Sequence, residues 1–138
     1  FTEQMMQAFS RAYGMRCYAL RPAGVWRVER QIEYARSYQP LSNWNSAFNG
    51  YIDIRDLARA FRMCLEAADA LPPFDAFYVN APDTLALEDT RDLVARLRPD
   101  LADKAAGLVG RQAMISAAKA ERCFGFRAEH SWTEHLQQ

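Results

Sequence analysis

Three short runs, "RCYAL" (16–20), "GYIDI" (50–54) and "AFYVNA" (76–81), read as buried strands, and each lies between segments patterned as helices. That alternation constrains the chain more than any other feature. Strands separated by helices pair in parallel, because each connection crosses back over the sheet, and an α/β fold follows. Spacing marks the helices. Phe1, Met5, Phe9, Ala12 and Tyr13 recur at three and four residues ahead of the first strand, and Gly14 can end that helix in the left-handed cap conformation. Leu57, Phe61, Cys64, Leu65 and Ala68 form one apolar stripe over about 55–68, with Asp53 and Asp56 at its positive end. A further helix is expected over 87–97, with Glu88 and Asp89 in its first turn and Pro99 closing it. Shorter helices are expected near 30–37, 116–123 and 133–136, and "PAGVW" (22–26) reads as a loop.

Two or three strands are few for a self-contained doubly wound sheet. The sequence also opens on Phe1, already inside a helical stripe. Both features lead to the expectation that these 138 residues are part of a longer α/β protein.

Composition removes several partners. Seventeen basic residues face seventeen acidic ones, so the net charge is zero, whereas nucleic acid or an anionic membrane calls for a basic excess. No apolar run nears the roughly 20 residues that span a bilayer, and no leader pattern opens the sequence. Cys17, Cys64 and Cys123 are odd in number, far apart and set among apolar neighbours. They are expected to be reduced, buried thiols of a cytoplasmic protein.

Few motifs carry chemistry. Gly14, Gly24, Gly50, Gly107, Gly110 and Gly125 form neither a G-x-G-x-x-G fingerprint nor a phosphate loop; no strand precedes "GLVG" (107–110). His130 and His135, with Glu129 and Glu134, lack H-E-x-x-H spacing, so "EHSWTEH" is expected to be a solvated final turn, with no metal. No serine sits in a G-x-S-x-G elbow.

The order of four segments says more. "ALRPAGVW", "NGYIDIRDLARAFRMCLEA", "FYVNAPDTLALEDTRDLV" and "SAAKAERCFGFRAEHSW" together resemble the C-terminal half of the NAD-dependent epimerase/dehydratase family, the extended short-chain dehydrogenases. In that family an LRP-x-x-V strand end precedes a substrate-binding segment. A Y-[IV]-x-V-x-D-[LV]-A-x-A strand-to-helix motif and a K-A-x-R-x-[LF]-G-[WF] segment follow. The resemblance covers essentially the whole chain. It implies that 1–138 are the C-terminal part of a Rossmann-type doubly wound sheet plus the substrate-binding subdomain, without the N-terminal dinucleotide-binding half.

The resemblance also implies a cofactor, NAD or NADP, whose glycine-rich loop is not in this sequence. The family's Y-x-x-x-K pair would fall ahead of Phe1, so no catalytic residue is expected here. Pro22, Ala23, Gly24 and Val25 would pass the nicotinamide end of the cofactor; proline fixes φ and glycine permits close backbone approach to a flat ring. Trp26, Asn49, Tyr51 and Arg111 would face the substrate, with Trp26, Tyr34, Tyr38, Trp44 and Phe48 as an aromatic pocket. Asn49 stands where nucleotide-sugar enzymes carry a phosphate-gripping arginine. A neutral amide cannot supply that bidentate, charge-assisted grip, which lowers the expectation of a nucleotide-sugar substrate. Arg111 is the candidate to restore a cation. The expected function is the substrate-binding half of an epimerase, dehydratase or reductase acting on a small sugar-like or carbonyl molecule. The alternative is a non-catalytic relative that binds dinucleotide or a partner. The first helix, through Phe1, Met5 and Phe9, would pair two copies.

Overall fold

The computed structural model describes residues 2–45 and 47–136; Phe1 lies outside them. Helix α1 (Thr2–Tyr13) leads through Gly14, whose φ of +65° is the left-handed cap conformation, into strand β1 (Cys17–Pro22). Strand β2 (Gly24–Trp26) follows after a single residue, then α2 (Val28–Arg36) and an irregular segment to Gly50. Strand β3 (Tyr51–Asp53) runs directly into α3 (Ile54–Glu66), and a short 3-10 turn (Ala68–Ala70) returns the chain to β4 (Phe74–Val79). Beyond β4 come α4 (Thr90–Leu97), a 3-10 turn (Pro99–Leu101), α5 (Ala102–Ala105), α6 (Ala118–Phe124) and a final 3-10 turn (Trp132–His135).

The strands form two parallel pairs. β1 lies beside β4 in register Cys17↔Phe74 to Pro22↔Val79, and β2 beside β3 in register Gly24↔Tyr51 to Trp26↔Asp53. Alternation along a strand divides the first pair into two faces. Tyr18 and Leu20 of β1, with Phe77 and Val79 of β4, join Ile52, Ala60, Cys64, Ala120 and Phe126 in one core under α3 and α6. Arg21 and Tyr78 point to the other face, where the Arg21 guanidinium bonds Glu3 of α1. A second core gathers Trp26, Ala35, Tyr51, Ala81, Leu85 and Trp132, with Tyr34 and Tyr38 packed on it.

Several expectations change here. The stretch 22–26 is not a loop, since Gly24–Trp26 is a strand that β3 completes. The helix expected from Leu87 begins at Thr90, because Asp89 is its N-cap and accepts from the Arg91 N–H. On α3 the buried stripe is Ala60 and Cys64 with Leu57 packed beside them; Phe61 and Leu65 are exposed. Cys64 is buried as expected, whereas Cys17 is half-buried and Cys123 is exposed. No helix among the described residues is long and apolar enough to cross a membrane.

Candidate functional site

The chain leaves one strand pair and enters the other at Pro22-Ala23-Gly24, and a cleft opens at this step. Its floor is the carboxyl end of the parallel pair, Arg21 and Pro22 from β1 and Tyr78 from β4. Ala47 and Phe48 wall it on one side, and Met114, Ile115 and Ser116 on another, around a volume of about 660 Å³. Phe48, Met114 and Ile115 also border an adjoining chamber of about 280 Å³, closed by Leu101, Lys104 and Leu108. The lining is mostly apolar, as in small-molecule sites, with a few polar groups to orient a ligand.

Arg21 is the cation of the cleft floor. Its Nε donates to Glu3 Oε1 at 2.7 Å and its guanidinium lies 5.2 Å from the centre of the Tyr78 ring. The hydrogen bonds from Arg21 lower the Glu3 carboxyl below its ordinary pKa, so the pair is ionised and fixes α1 against the end of β1.

The wall at 47–48 is a built loop. Asn45 Oδ1 accepts from the N–H groups of Ala47 (3.0 Å) and Asn49 (2.7 Å), and the Gly50 N–H donates to the Ala47 carbonyl at 2.9 Å. Glycine suits position 50, where a Cβ would stand 3.0 Å from that same carbonyl oxygen and push it aside by a few tenths of an ångström. The Asn49 carbonyl accepts from Leu85 N–H at 2.9 Å, which ties the loop to the segment after β4.

The predicted site residues divide accordingly. Pro22 and Ala23 line the cleft. Gly24 is in β2 beside Trp26 and Gly50; a Cβ would lie 3.4 Å from the Trp26 indole nitrogen, an ordinary contact, so neither a turn nor packing requires glycine there. Val25 is exposed on β2. Trp26, Asn49 and Tyr51 are buried and do not face the cleft. Trp26 packs edge-on to Tyr34 at 5.0 Å, and Asn49 Oδ1 accepts from Asn45 N–H. Arg111 is committed inward, donating to Asp83 Oδ2 (2.8 Å) and to the carbonyls of Ala86 (2.7 Å) and Thr84 (3.1 Å). The aromatic cluster also splits: Trp26, Tyr34 and Tyr38 are core with Tyr51 and Trp132, while Phe48 lines the cleft and Trp44, which does not, meets it edge-on at 6.0 Å. Sequence reasoning missed Tyr78, Met114 and Ile115. Tyr78 carried a signal, since it ends a strand on the face opposite Phe77 and Val79.

Tyr51 instead centres a polar hub behind the site. Its hydroxyl donates to Asp83 Oδ1 at 2.7 Å and accepts from the Trp132 N–H at 3.0 Å. Ser131 Oγ donates to Asp83 Oδ2 at 2.7 Å. Burial, with the Asp83 charge added, pushes the Tyr51 hydroxyl well above the ordinary tyrosine range, so it stays a neutral donor. A second knot lies at Asp56, fully buried, which accepts from the Arg59 guanidinium (2.8 Å) and the N–H groups of Glu129 (3.0 Å) and His130 (2.9 Å). The "EHSWTEH" segment is therefore no solvated turn. It is anchored at Asp56, capped reciprocally by Ser131 and Glu134, and seals the core with Trp132. Among the described residues no group of three His, Cys, Asp or Glu side chains is placed to hold a metal ion.

No family profile and no curated protein matches the sequence. Solved structures match the fold. A UDP-galactose 4-epimerase is 20% identical over 98% of this chain and 48% of its own, with a TM-score of 0.56. The Bordetella bronchiseptica enzyme WbmF, solved with NAD+, is 18% identical over 99% of this chain and 48% of its own, at a TM-score of 0.58. RMD from Pseudomonas aeruginosa, solved with NADPH, is 14% identical over 98% of this chain and 50% of its own, at 0.56. The chain shares their mixed α/β fold with parallel strands and spans about half the length of each.

Proposed function

We propose that this chain is the substrate side, the C-terminal half, of an NAD- or NADP-dependent epimerase, dehydratase or reductase acting on a small sugar-like or carbonyl substrate. The observation that supports it is the cleft at the carboxyl ends of β1 and β4, where ligands of open α/β sheets collect. The fold likeness adds to it, since WbmF was solved with NAD+ and UDP together.

The residues present fit the nicotinamide end of a dinucleotide. Pro22 and Ala23 offer a wall with no side chain beyond a ring and a methyl, and the roughly 660 Å³ cleft is open and largely apolar. When bound, the dinucleotide supplies hydride transfer. The chain's own part is to hold and to exclude. Pro22 fixes the backbone at the strand end, the Arg21–Glu3 pair keeps α1 against it, and Phe48, Met114 and Ile115 keep water from the apolar side. Proton transfer falls to groups outside these 138 residues.

The test is dinucleotide binding by the longer protein that carries these 138 residues as its C-terminal half, followed by nicotinamide fluorescence. NADH or NADPH should bind, and Ala23→Phe, which fills the cleft at its step, should weaken binding at least tenfold. Binding unchanged by that substitution overturns the reading. The same reading includes a homodimer through α1, where Met5 and Phe9 are exposed and Phe9 stacks on Tyr13 at 5.4 Å. It also includes a cytoplasmic location, which suits the exposed Cys123 thiol.

A further inference from the structure

Phe48 and Asn49 both hold φ of 53°, in the left-handed region. Asparagine tolerates it; a phenylalanine does so only where its surroundings over-determine the backbone, and such strain collects at ligand clamps. The surroundings here are the Asn45 carboxamide, the Leu85 N–H on the Asn49 carbonyl, and Gly50 under the Ala47 carbonyl. They turn the Asn49 side chain into the loop and leave the Phe48 ring 39% exposed, bordering both chambers. The segment thus presents an aromatic ring to the cleft instead of a polar group.

The charges around it point the same way. Arg21 is paired with Glu3, and Arg111 with Asp83 and two carbonyls. Of the residues lining the adjoining chamber only Lys104 is charged; it is exposed and makes no ion pair among the described residues. A diphosphate calls for several charge-assisted donors at once, whereas one ammonium beside Leu101, Leu108 and Met114 suits a single negative group on an apolar body.

Resting on the proposed enzyme reading, we infer that this site takes a carbonyl substrate with an aryl or branched-alkyl body and one anionic group. The body lies under Phe48 and the anion at Lys104, and a nucleoside diphosphate sugar is not the substrate. Calorimetric titration of the longer protein that carries these 138 residues with 4-phenylbutanoate, UDP-glucose and NADPH, each separately, tests this. 4-Phenylbutanoate should bind more tightly than UDP-glucose. Phe48→Gly, which suits the left-handed backbone and removes the ring, should weaken 4-phenylbutanoate about tenfold while leaving the melting temperature near that of the parent. Lys104→Met should weaken the acid severalfold and leave its neutral amide unchanged. Tighter binding of UDP-glucose, or 4-phenylbutanoate binding indifferent to Phe48→Gly, overturns the inference. NADPH binding retained in either case leaves the enzyme reading standing. Loss of NADPH binding with the acid still bound overturns that reading and supports the pocket's preference.

Discussion

Replacing Tyr51 with phenylalanine removes one oxygen from the middle of the polar hub and little else. That oxygen donates to the Asp83 carboxylate at 2.7 Å and accepts from the Trp132 N–H at 3.0 Å, with both rings fully buried. A hydrogen bond to a charged group contributes about 1.5–3 kcal/mol, and a buried N–H left without a partner costs about 1–3 kcal/mol. Asp83 keeps Ser131 and Arg111, which offsets part of the loss. The expected destabilisation is therefore about 3 kcal/mol, a large share of the roughly 5–15 kcal/mol typical of a folded domain. Urea unfolding followed by tryptophan fluorescence reads it as a lower midpoint at an unchanged slope. Tyr34→Phe is the control, since the Tyr34 hydroxyl makes a single bond to the neutral Leu85 carbonyl at 2.7 Å and should cost about 1 kcal/mol. A double-mutant cycle of Tyr51→Phe with Asp83→Asn should show coupling above about 1 kcal/mol. If Tyr51→Phe costs no more than the control and shows no coupling, the hub does not hold the C-terminal segment. A loss of ligand affinity without loss of stability would return Tyr51 to the substrate role that its motif suggests.

Three other perturbations follow from the same contacts. Burial alone would raise the Asp53 carboxyl, but hydrogen bonds from Arg55 and Gln31 outweigh it and hold its pKa at about 2, below the usual 3.8. Because the folded value is the lower one, the stabilisation of roughly 2 kcal/mol is present above pH 3.8 and is lost as pH falls toward 2; urea midpoints between pH 5 and 2 should fall in the parent and less in Asp53→Asn. Gly50→Ala sets a Cβ 3.0 Å from the Ala47 carbonyl and should cost about 1–2 kcal/mol in a thermal melt, with a matching loss at the cleft that Ala47 and Phe48 wall. Phe9→Glu puts a charge on the exposed face of α1 and should convert the proposed dimer to monomer in light scattering; an unchanged mass removes α1 as the interface.

What could be read from sequence is what is decided locally. β1 and β4 were legible as short continuous apolar runs and α3 by apolar residues three and four apart, with Asp53 capping α3 by its own side chain. β2 was not, since "GVW" is three residues long and becomes a strand only through its register with Tyr51–Asp53, some 27 residues away. The start of α4 was misplaced because 82–89 is held open by remote partners, among them Asn49, Arg111 and the Tyr38 hydroxyl. The S-x-x-E cap at Ser131 and Glu134 was present in the sequence and passed over beside the two histidines that flank it.

The site shows the same division at the scale of one residue. The motif pointed to Asn49, two positions before Tyr51, as the group facing substrate, and in an extended backbone that would hold. Two successive left-handed residues rotate the side-chain directions, so Asn49 is buried against Asn45 and Phe48 takes the exposed place. Nothing at positions 48 and 49 dictates that rotation. It is imposed by the Asn45 acceptor, by the space that Gly50 leaves, and by Leu85 arriving from beyond β4. The group that lines the cleft, an aromatic ring in place of a polar one, is thus fixed by packing between segments that the motif does not contain.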